Sequence, residues 1–257
     1  MMDLAAPLGE HEKIEQVNDG IRLISRTDGL NFGTDALLLA GYVASAGRFE
    51  TAIEIGSGTG IVSMLLLGRE RVGEITAVEV QKEYADLTRR NAELNRMDDR
   101  LDAIEADVRD FSPKRQVDLV FSNPPYMKAD SGRGCATDFK QIARHEVHGT
   151  IEELLASAAR LLKYGGTLAL VYRPDRLADL LCAMRNAGIE PKKTTFVYAD
   201  SESEPALVLV LGKRGGKPGV RVTPPLLLYT DPANREYTPA MQYLMEYGAL
   251  PKIYSGK

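Results

Sequence analysis

Between residues 51 and 212, short runs rich in β-branched and aliphatic residues alternate with stretches whose apolar residues recur at three and four, the pattern of a parallel sheet covered on both faces. Seven strands are predicted: TAIEI (51–55), EITAVEV (74–80), LDAIEAD (101–107), VDLVFS (117–122), GTLALVY (166–172), KTTFVYA (193–199) and ALVLVLG (206–212). Helices are predicted over 60–68, 81–95, 150–163 and 174–188. Thr150 and Glu153 form a capping box ahead of Leu154 and Leu155, and Gly165 and Gly188 stand where helices are expected to stop. The last two strands are joined only by DSESEP (200–205), so they are expected to pair as an antiparallel hairpin at one end of the sheet. Upstream, GIRLISRTDGLNFGTDALLLA predicts a short hairpin around RTDG (26–29) and a helix that begins near Thr34 or Asp35. The fold expected is a doubly wound α/β domain over 31–212 with a seven-stranded mixed sheet, preceded by a lead-in over 1–30 and followed by a glycine-, proline- and base-rich extension over 213–257.

Chemistry enters with EIGSGTG (54–60), which follows the first strand of that sheet and opens its first helix, where an open α/β sheet binds nucleotide-like ligands. Gly56, Gly58 and Gly60 leave no Cβ between backbone and ligand, in a spacing one residue short of the dinucleotide pattern G-x-G-x-x-G. Alone, such a loop also serves as a plain tight turn. Glu79, at the end of the second strand, adds a carboxylate able to accept hydrogen bonds from both hydroxyls of a ribose; otherwise it is a solvated strand-end acid. Asp107 ends the third strand, where it or its neighbouring backbone meets an adenine amino group or caps a helix. Together these features predict a ligand with adenosine at one end. Glu54 would repel a pyrophosphate and suits a cofactor bearing a cationic amino group, such as S-adenosylmethionine.

The fourth strand runs into Asn123, Pro124, Pro125 and Tyr126. Two prolines fix φ and remove two backbone donors, leaving the carbonyls of Asn123 and Pro124 as acceptors. An amide oxygen and a carbonyl together bind both hydrogens of a planar amino group and aim its lone pair at an electrophilic methyl. Tyr126 supplies a face on which a flat substrate stacks, worth ~1–3 kcal/mol per base in single-stranded nucleic acid complexes. A rigid turn is the plainer reading of the same residues.

With the glycine loop and NPPY both present, the chain resembles the amino-methylating branch of the Rossmann-like methyltransferases. LNFGTDALLLA (30–40), RHEVHGTIEELLASAARLLKYGG (144–166) and the tail resemble, more narrowly, the bacterial tRNA1(Val) (adenine(37)-N6)-methyltransferases. That resemblance implies S-adenosylmethionine as cofactor and tRNA as partner. It implies that Gly56, Gly58 and Gly60 border the cofactor, Glu79 holds its ribose, Asp107 and Val108 its adenine, and Asn123 to Tyr126 the target base, with Asn123 also touching the cofactor. It also implies that Thr34 and Asp35, in FGTDA, close over the methionine end. NPPY is shared with enzymes that methylate DNA adenine or a protein glutamine, so it specifies an amino or amide nitrogen and leaves its carrier open.

Composition narrows the partners. At 44% hydrophobic and 26% charged the chain is ordinarily globular, and a net charge of -4 argues against gripping nucleic acid with its whole surface. Local basic sets remain: Lys128, Arg133, Lys140 and Arg144 after NPPY, and Lys213, Arg214, Lys217 and Arg221 in an acid-free stretch of the tail, each a candidate track for RNA phosphates or merely a solvated loop. His145 and His148 are read as helix-entry and loop residues, Cys135 as a loop thiol and Cys182 as a buried helix residue. No apolar run approaches the ~20 residues of a membrane span and no leader is evident, so a cytoplasmic, metal-free monomer is expected. Glutamine methylation of a translation factor, a nicotinamide-dependent oxidoreductase and a non-catalytic RNA-binding module are the rival readings. The short lead-in and basic tail weigh against the first, the glycine spacing and NPPY against the second, and the intact cofactor loop against the third.

Overall fold

The computed structural model describes residues 8–18, 20–28, 33–124, 150–231 and 233–255. The chain opens with an antiparallel hairpin, β1 (Glu12–Asn18) and β2 (Ile21–Arg26), then α1 (Thr34–Ala46). The core follows as β3 (Phe49–Ile55), α2 (Ile61–Gly68), β4 (Val72–Glu79), α3 (Lys82–Leu94), β5 (Leu101–Glu105), β6 (Val117–Ser122), α4 (Ile151–Leu161), β7 (Leu162–Tyr172), α5 (Leu177–Asn186), β8 (Ile189–Tyr198) and β9 (Pro205–Arg214). All seven strands read from the sequence form one sheet, in the order β8-β9-β7-β6-β3-β4-β5. β9 runs antiparallel between β7 and β8 because a loop of a few residues reverses the chain, whereas the other neighbours are parallel. Two short strands, β10 (Arg221–Val222) and β11 (Leu226–Leu227), extend the sheet beyond β8, and β12 (Tyr229–Asp231) pairs with β13 (Glu236–Tyr237) before α6 (Pro239–Tyr247).

Period-two alternation splits the core between the two faces. On β6, Leu119 and Phe121 join the cluster with Leu38, Tyr42 and Leu66 of α1 and α2, while Val120 joins Leu155 of α4 and Met184 of α5. Helix α2 (IVSMLLLG) is apolar nearly all round, and every residue from Ile61 to Leu67 is buried between sheet and hairpin. The tail is fastened to this body. Leu244 packs where only Gly41 of α1 leaves room, and the ammonium of buried Lys193 on β8 donates to the Tyr254 carbonyl while lying 4.2 Å from the centre of the Tyr42 ring.

Three local expectations are corrected. The hairpin turns between Asn18 and Ile21, not around RTDG: Arg26 ends β2, and its guanidinium pairs with Asp28. Helix α4 stops at Leu161, ahead of Gly165, because Leu162 already pairs with Val117. Gly165 then sits inside β7, where the register slips so that Leu119 faces Thr167. Cys182 is on α5 but exposed, since the buried stripe of that helix is Leu180, Ala183 and Met184. The Thr150–Glu153 capping box forms in both directions, and Gly188 follows α5 with φ +74°. No described helix is long and apolar enough to cross a membrane.

Candidate active site

From β3 the chain steps to β4 and β5 on one side, then returns to β6 on the other, so the carboxyl ends of β3 and β6 flank a topological switch point. A crevice there is walled by Gly56, Glu79, Asp107, Val108, Ser122 and Pro124. The sequence singles out all of these except Ser122, whose hydroxyl donates to the Ile55 carbonyl at 2.7 Å and locks β6 to β3 below the crevice.

The glycine loop is held by side chains from α3 and β4. Gly58 N–H donates to Glu79 Oε2 at 3.0 Å, Gln81 N–H donates to Oε1 at 3.0 Å, and Thr88 Oγ1 donates to the Gly58 carbonyl at 2.8 Å. Gly60 cannot be replaced cheaply: its φ is +77°, and a Cβ would lie 2.8 Å from Thr88 Cγ2. Gly56 and Gly58 share the positive φ, at +71° and +55°, but a Cβ added to either meets no described atom within 4 Å, so there backbone conformation and not space calls for glycine. A carboxylate has about four lone-pair sites, so each Glu79 oxygen keeps one beyond its backbone bond. The open glycine loop and the spare acceptor sites of Glu79 fit a hydroxyl-bearing nucleoside ligand such as S-adenosylmethionine.

Glu54 is 2% exposed, and Ser63 Oγ of α2 donates to its Oε2. Burial pushes its carboxyl up to about 8 despite that hydrogen bond, and the Glu79 charge adds to the rise. Asp107 behaves oppositely. The Arg109 guanidinium holds its carboxyl below the usual carboxylate range against partial burial, and Arg109 N–H donates to Oδ1 at 2.9 Å, so Asp107 caps the turn after β5. That turn is braced from α4, where Arg160 donates to the carbonyls of Val108 (2.8 Å) and Arg109 (3.1 Å).

Next to Pro124 in the chain, Asn123 Nδ2 donates to Asp35 Oδ2 at 3.0 Å, which joins the FGTDA and NPPY segments; Thr34 is the first residue of the same helix. Pro125, Tyr126, Lys128, Arg133, Lys140, Arg144, His145, His148 and Cys135 lie outside the described residues.

The tail bases gather elsewhere. Lys213 faces Thr167, which in turn faces Leu119, so it stands at the amino edge of the sheet, ~13 Å down the strand direction from Asn123 and two strands away. Lys213 donates to the Gly165 carbonyl at 2.9 Å and Arg214 to that of Leu162, while Arg221 donates to the carbonyls of Ser255 (3.1 Å) and Ile253 (3.2 Å). The Lys217 carbonyl accepts from Lys192 Nζ at 3.0 Å.

Sequence reading missed a support under the glycine loop. Asn91, fully buried on α3, accepts from Ile24 N–H at 2.6 Å and donates to the carbonyls of Ile24 and Thr59, each at 3.0 Å. Asn95, one turn on, repeats the pattern with both backbone groups of Arg22 at 2.9 and 2.7 Å. Two asparagines at i and i+4 beneath an otherwise apolar stripe were the available signal. Asn91→Leu is expected to cost ~2–4 kcal/mol, because it orphans three buried backbone groups. A denaturant midpoint unchanged from the parent would contradict this.

Against known proteins, the family described as "Methyltransferase small domain" matches residues 25–183. The tRNA1(Val) (adenine(37)-N6)-methyltransferase of Phocaeicola vulgatus is 30% identical over 184 residues, covering 72% of this chain and 77% of the relative. That of Tolumonas auensis is 31% identical over 186 residues, with the same 72% and 77% coverage. Among solved structures, one described as a predicted O-methyltransferase from Agrobacterium tumefaciens superposes with a TM-score of 0.68 at 24% identity, covering 84% of this chain and 98% of its own, which shows a shared fold.

Proposed function

Since the chain belongs to the tRNA1(Val) (adenine(37)-N6)-methyltransferase family, we propose that it transfers a methyl group from S-adenosylmethionine to the exocyclic N6 of a tRNA adenine, adenine 37 of a valine tRNA. The observation that carries this reading is the convergence of Gly56, Glu79 and Pro124 on one crevice, with Asn123 beside Pro124 at its rim. The cofactor supplies an electrophilic methyl group on a sulfonium. Glu79 takes the ribose hydroxyls, Val108 and the turn capped by Asp107 border the adenine, Gly56, Gly58 and Gly60 admit the ligand against the backbone, and Glu54 answers its ammonium group. Thr34 stands at the helix end beside the methionine portion.

Asn123 Oδ1 and the Pro124 carbonyl accept the two N6 hydrogens, holding the amine so that its lone pair points along the transfer axis. Such alignment supplies most of what the reaction needs, because the sulfonium is already activated and the amine proton departs to water during or after transfer. Pro125 and Tyr126 complete the motif, with Tyr126 as the stacking face for the adenine. No step calls for a metal ion, and the enzyme acts as a cytoplasmic monomer. Incubation with labelled S-adenosylmethionine and total tRNA, followed by mapping of the label, tests the assignment: label at N6 of adenine 37 in valine tRNA is expected, and label confined to protein defeats it.

In this reading Lys128, Arg133 and Arg144 are assigned to phosphates of the substrate RNA, as are Lys213, Arg214, Lys217 and Arg221 of the tail. Because Arg214 and Arg221 brace backbone carbonyls, Lys213→Ala with Lys217→Ala is the clean test. Weaker tRNA binding is expected, with the slope of log affinity against log salt flattened by on the order of one unit per lost phosphate contact. An unchanged slope removes the tail from the interface.

A further inference from the structure

Local pattern reaches Asp35 only as a candidate helix start, yet its carboxylate has specific partners. It lies in the first turn of α1, where the helix dipole favours a negative charge. Its Oδ1 accepts from the Ala36 N–H at 3.0 Å, and its Oδ2 accepts from Asn123 Nδ2 at 3.0 Å, 88 positions away in sequence. The residue ahead of the helix is shaped to admit it. Gly33 has an ordinary extended conformation (φ -105°, ψ -178°), so no left-handed backbone demands glycine there. A Cβ at Gly33 would instead stand 2.6 Å from Asp35 Oδ1. The glycine of FGTDA is thus explained by room for one carboxylate.

We propose that Asp35 is a positioning residue for methyl transfer, orienting the Asn123 side chain toward the target amine and not binding the cofactor. A primary amide is nearly symmetric in shape, and its two ends do opposite things: nitrogen donates and oxygen accepts. A carboxylate only accepts, so it attracts the Asn123 nitrogen and repels its oxygen, and the wrong flip is disfavoured. With nitrogen engaged by Asp35, Oδ1 is left as the accepting end of the amide, which is what an amine hydrogen needs. Were the amide reversed, it would offer N–H groups to an NH2 and push the substrate out of line. The proposal rests on the reading of Asn123 as the residue that holds the target amine.

The test compares Asp35→Ala, Asp35→Asn, Gly33→Ala and Asn123→Ala for kcat and KM on a valine tRNA transcript, together with calorimetric affinity for S-adenosylhomocysteine. Asp35→Ala is expected to lower kcat by ~10–100-fold, the scale of a lost alignment, with KM and S-adenosylhomocysteine affinity within about twofold. Asp35→Asn, whose own amide oxygen can accept from Asn123, is expected to recover most of that loss. Gly33→Ala retains the carboxylate but crowds it, and is expected to lower kcat by a smaller factor with the fold intact. Weakened S-adenosylhomocysteine affinity with kcat preserved would make Asp35 a cofactor ligand and overturn the proposal, as would an Asp35→Asn variant no better than Asp35→Ala. If Asn123→Ala is inactive while Asp35→Ala and Gly33→Ala turn over normally, the positioning role fails and the reading of the site stands. If Asn123→Ala itself is fully active, that reading fails, and the proposal with it.

Discussion

Asn123→Ala is expected to lower tRNA methylation by ~10³-fold while leaving S-adenosylhomocysteine affinity within about threefold. The size follows from what is removed. A preorganised hydrogen-bonding group at the reacting centre is typically worth ~10²–10³ in kcat, and in the proposed role the lost acceptor would also fix the direction of the attacking lone pair. The selectivity follows from geometry. Asn123 stands past the end of β6, whereas the groups assigned to the ribose and the glycine loop come from β3, β4 and α3, so the ligand side of the crevice keeps its supports. Turnover near the parental rate would refute the assignment of the amine-binding role. Loss of cofactor affinity equal to the loss of rate would show that Asn123 acts through the ligand and not on the acceptor.

What the sequence made legible here was local. Each of the seven principal strands carries its own alternation or apolar run, and the glycine loop, Glu79 and Asn123 all sit where a strand ends, so counting strands was enough to line them up along one edge. The failures share a cause as well. NDG and RTDG both carry turn chemistry, and the choice between them is made from a distance: Asn91 and Asn95, on α3, grip the backbone of Ile24 and Arg22 and so require β2 to run through those residues. Gly165 looks like a helix stop, but Leu162 is captured by Val117 of the neighbouring strand first. The Asp35–Asn123 pair and the Arg160 brace under the turn at 108–112 span 88 and about 50 positions, and nothing in a window of local pattern reports them. The placement of the tail bases was likewise not legible in local pattern. They are close in sequence, but Lys213 near the end of antiparallel β9 lies toward the edge opposite Asn123, whereas Arg221 on β10 is level with Lys193, Leu211, Ala169 and Phe121, four strands away from β6.

Ligand affinity is expected to depend steeply on pH through Glu54, weakening by up to tenfold per unit as pH falls below about 8. In the ligand-free protein this carboxyl is buried and pushed up to about 8, so at neutral pH most molecules carry it protonated. An ammonium group brought close favours the ionised form, so binding draws off a proton and stabilises the carboxylate. Between pH 6 and 8 the cost of that ionisation is ~1.4 kcal/mol per unit, which appears as up to ~100-fold in affinity across the interval. Calorimetry with S-adenosylhomocysteine in buffers of different ionisation enthalpy should therefore register nearly one proton released near pH 6.5 for the parent and none for Glu54→Gln, whose affinity should be flat over the same range. Stability of the free protein should move the other way. A carboxyl raised from 4.5 to about 8 in the folded state contributes stability that is fully present below pH 4.5 and is lost as pH rises through about 8, and Glu54→Gln should remove that slope. Identical pH profiles for the two proteins, in binding and in unfolding alike, would show that Glu54 neither titrates in this range nor meets the ligand's charge.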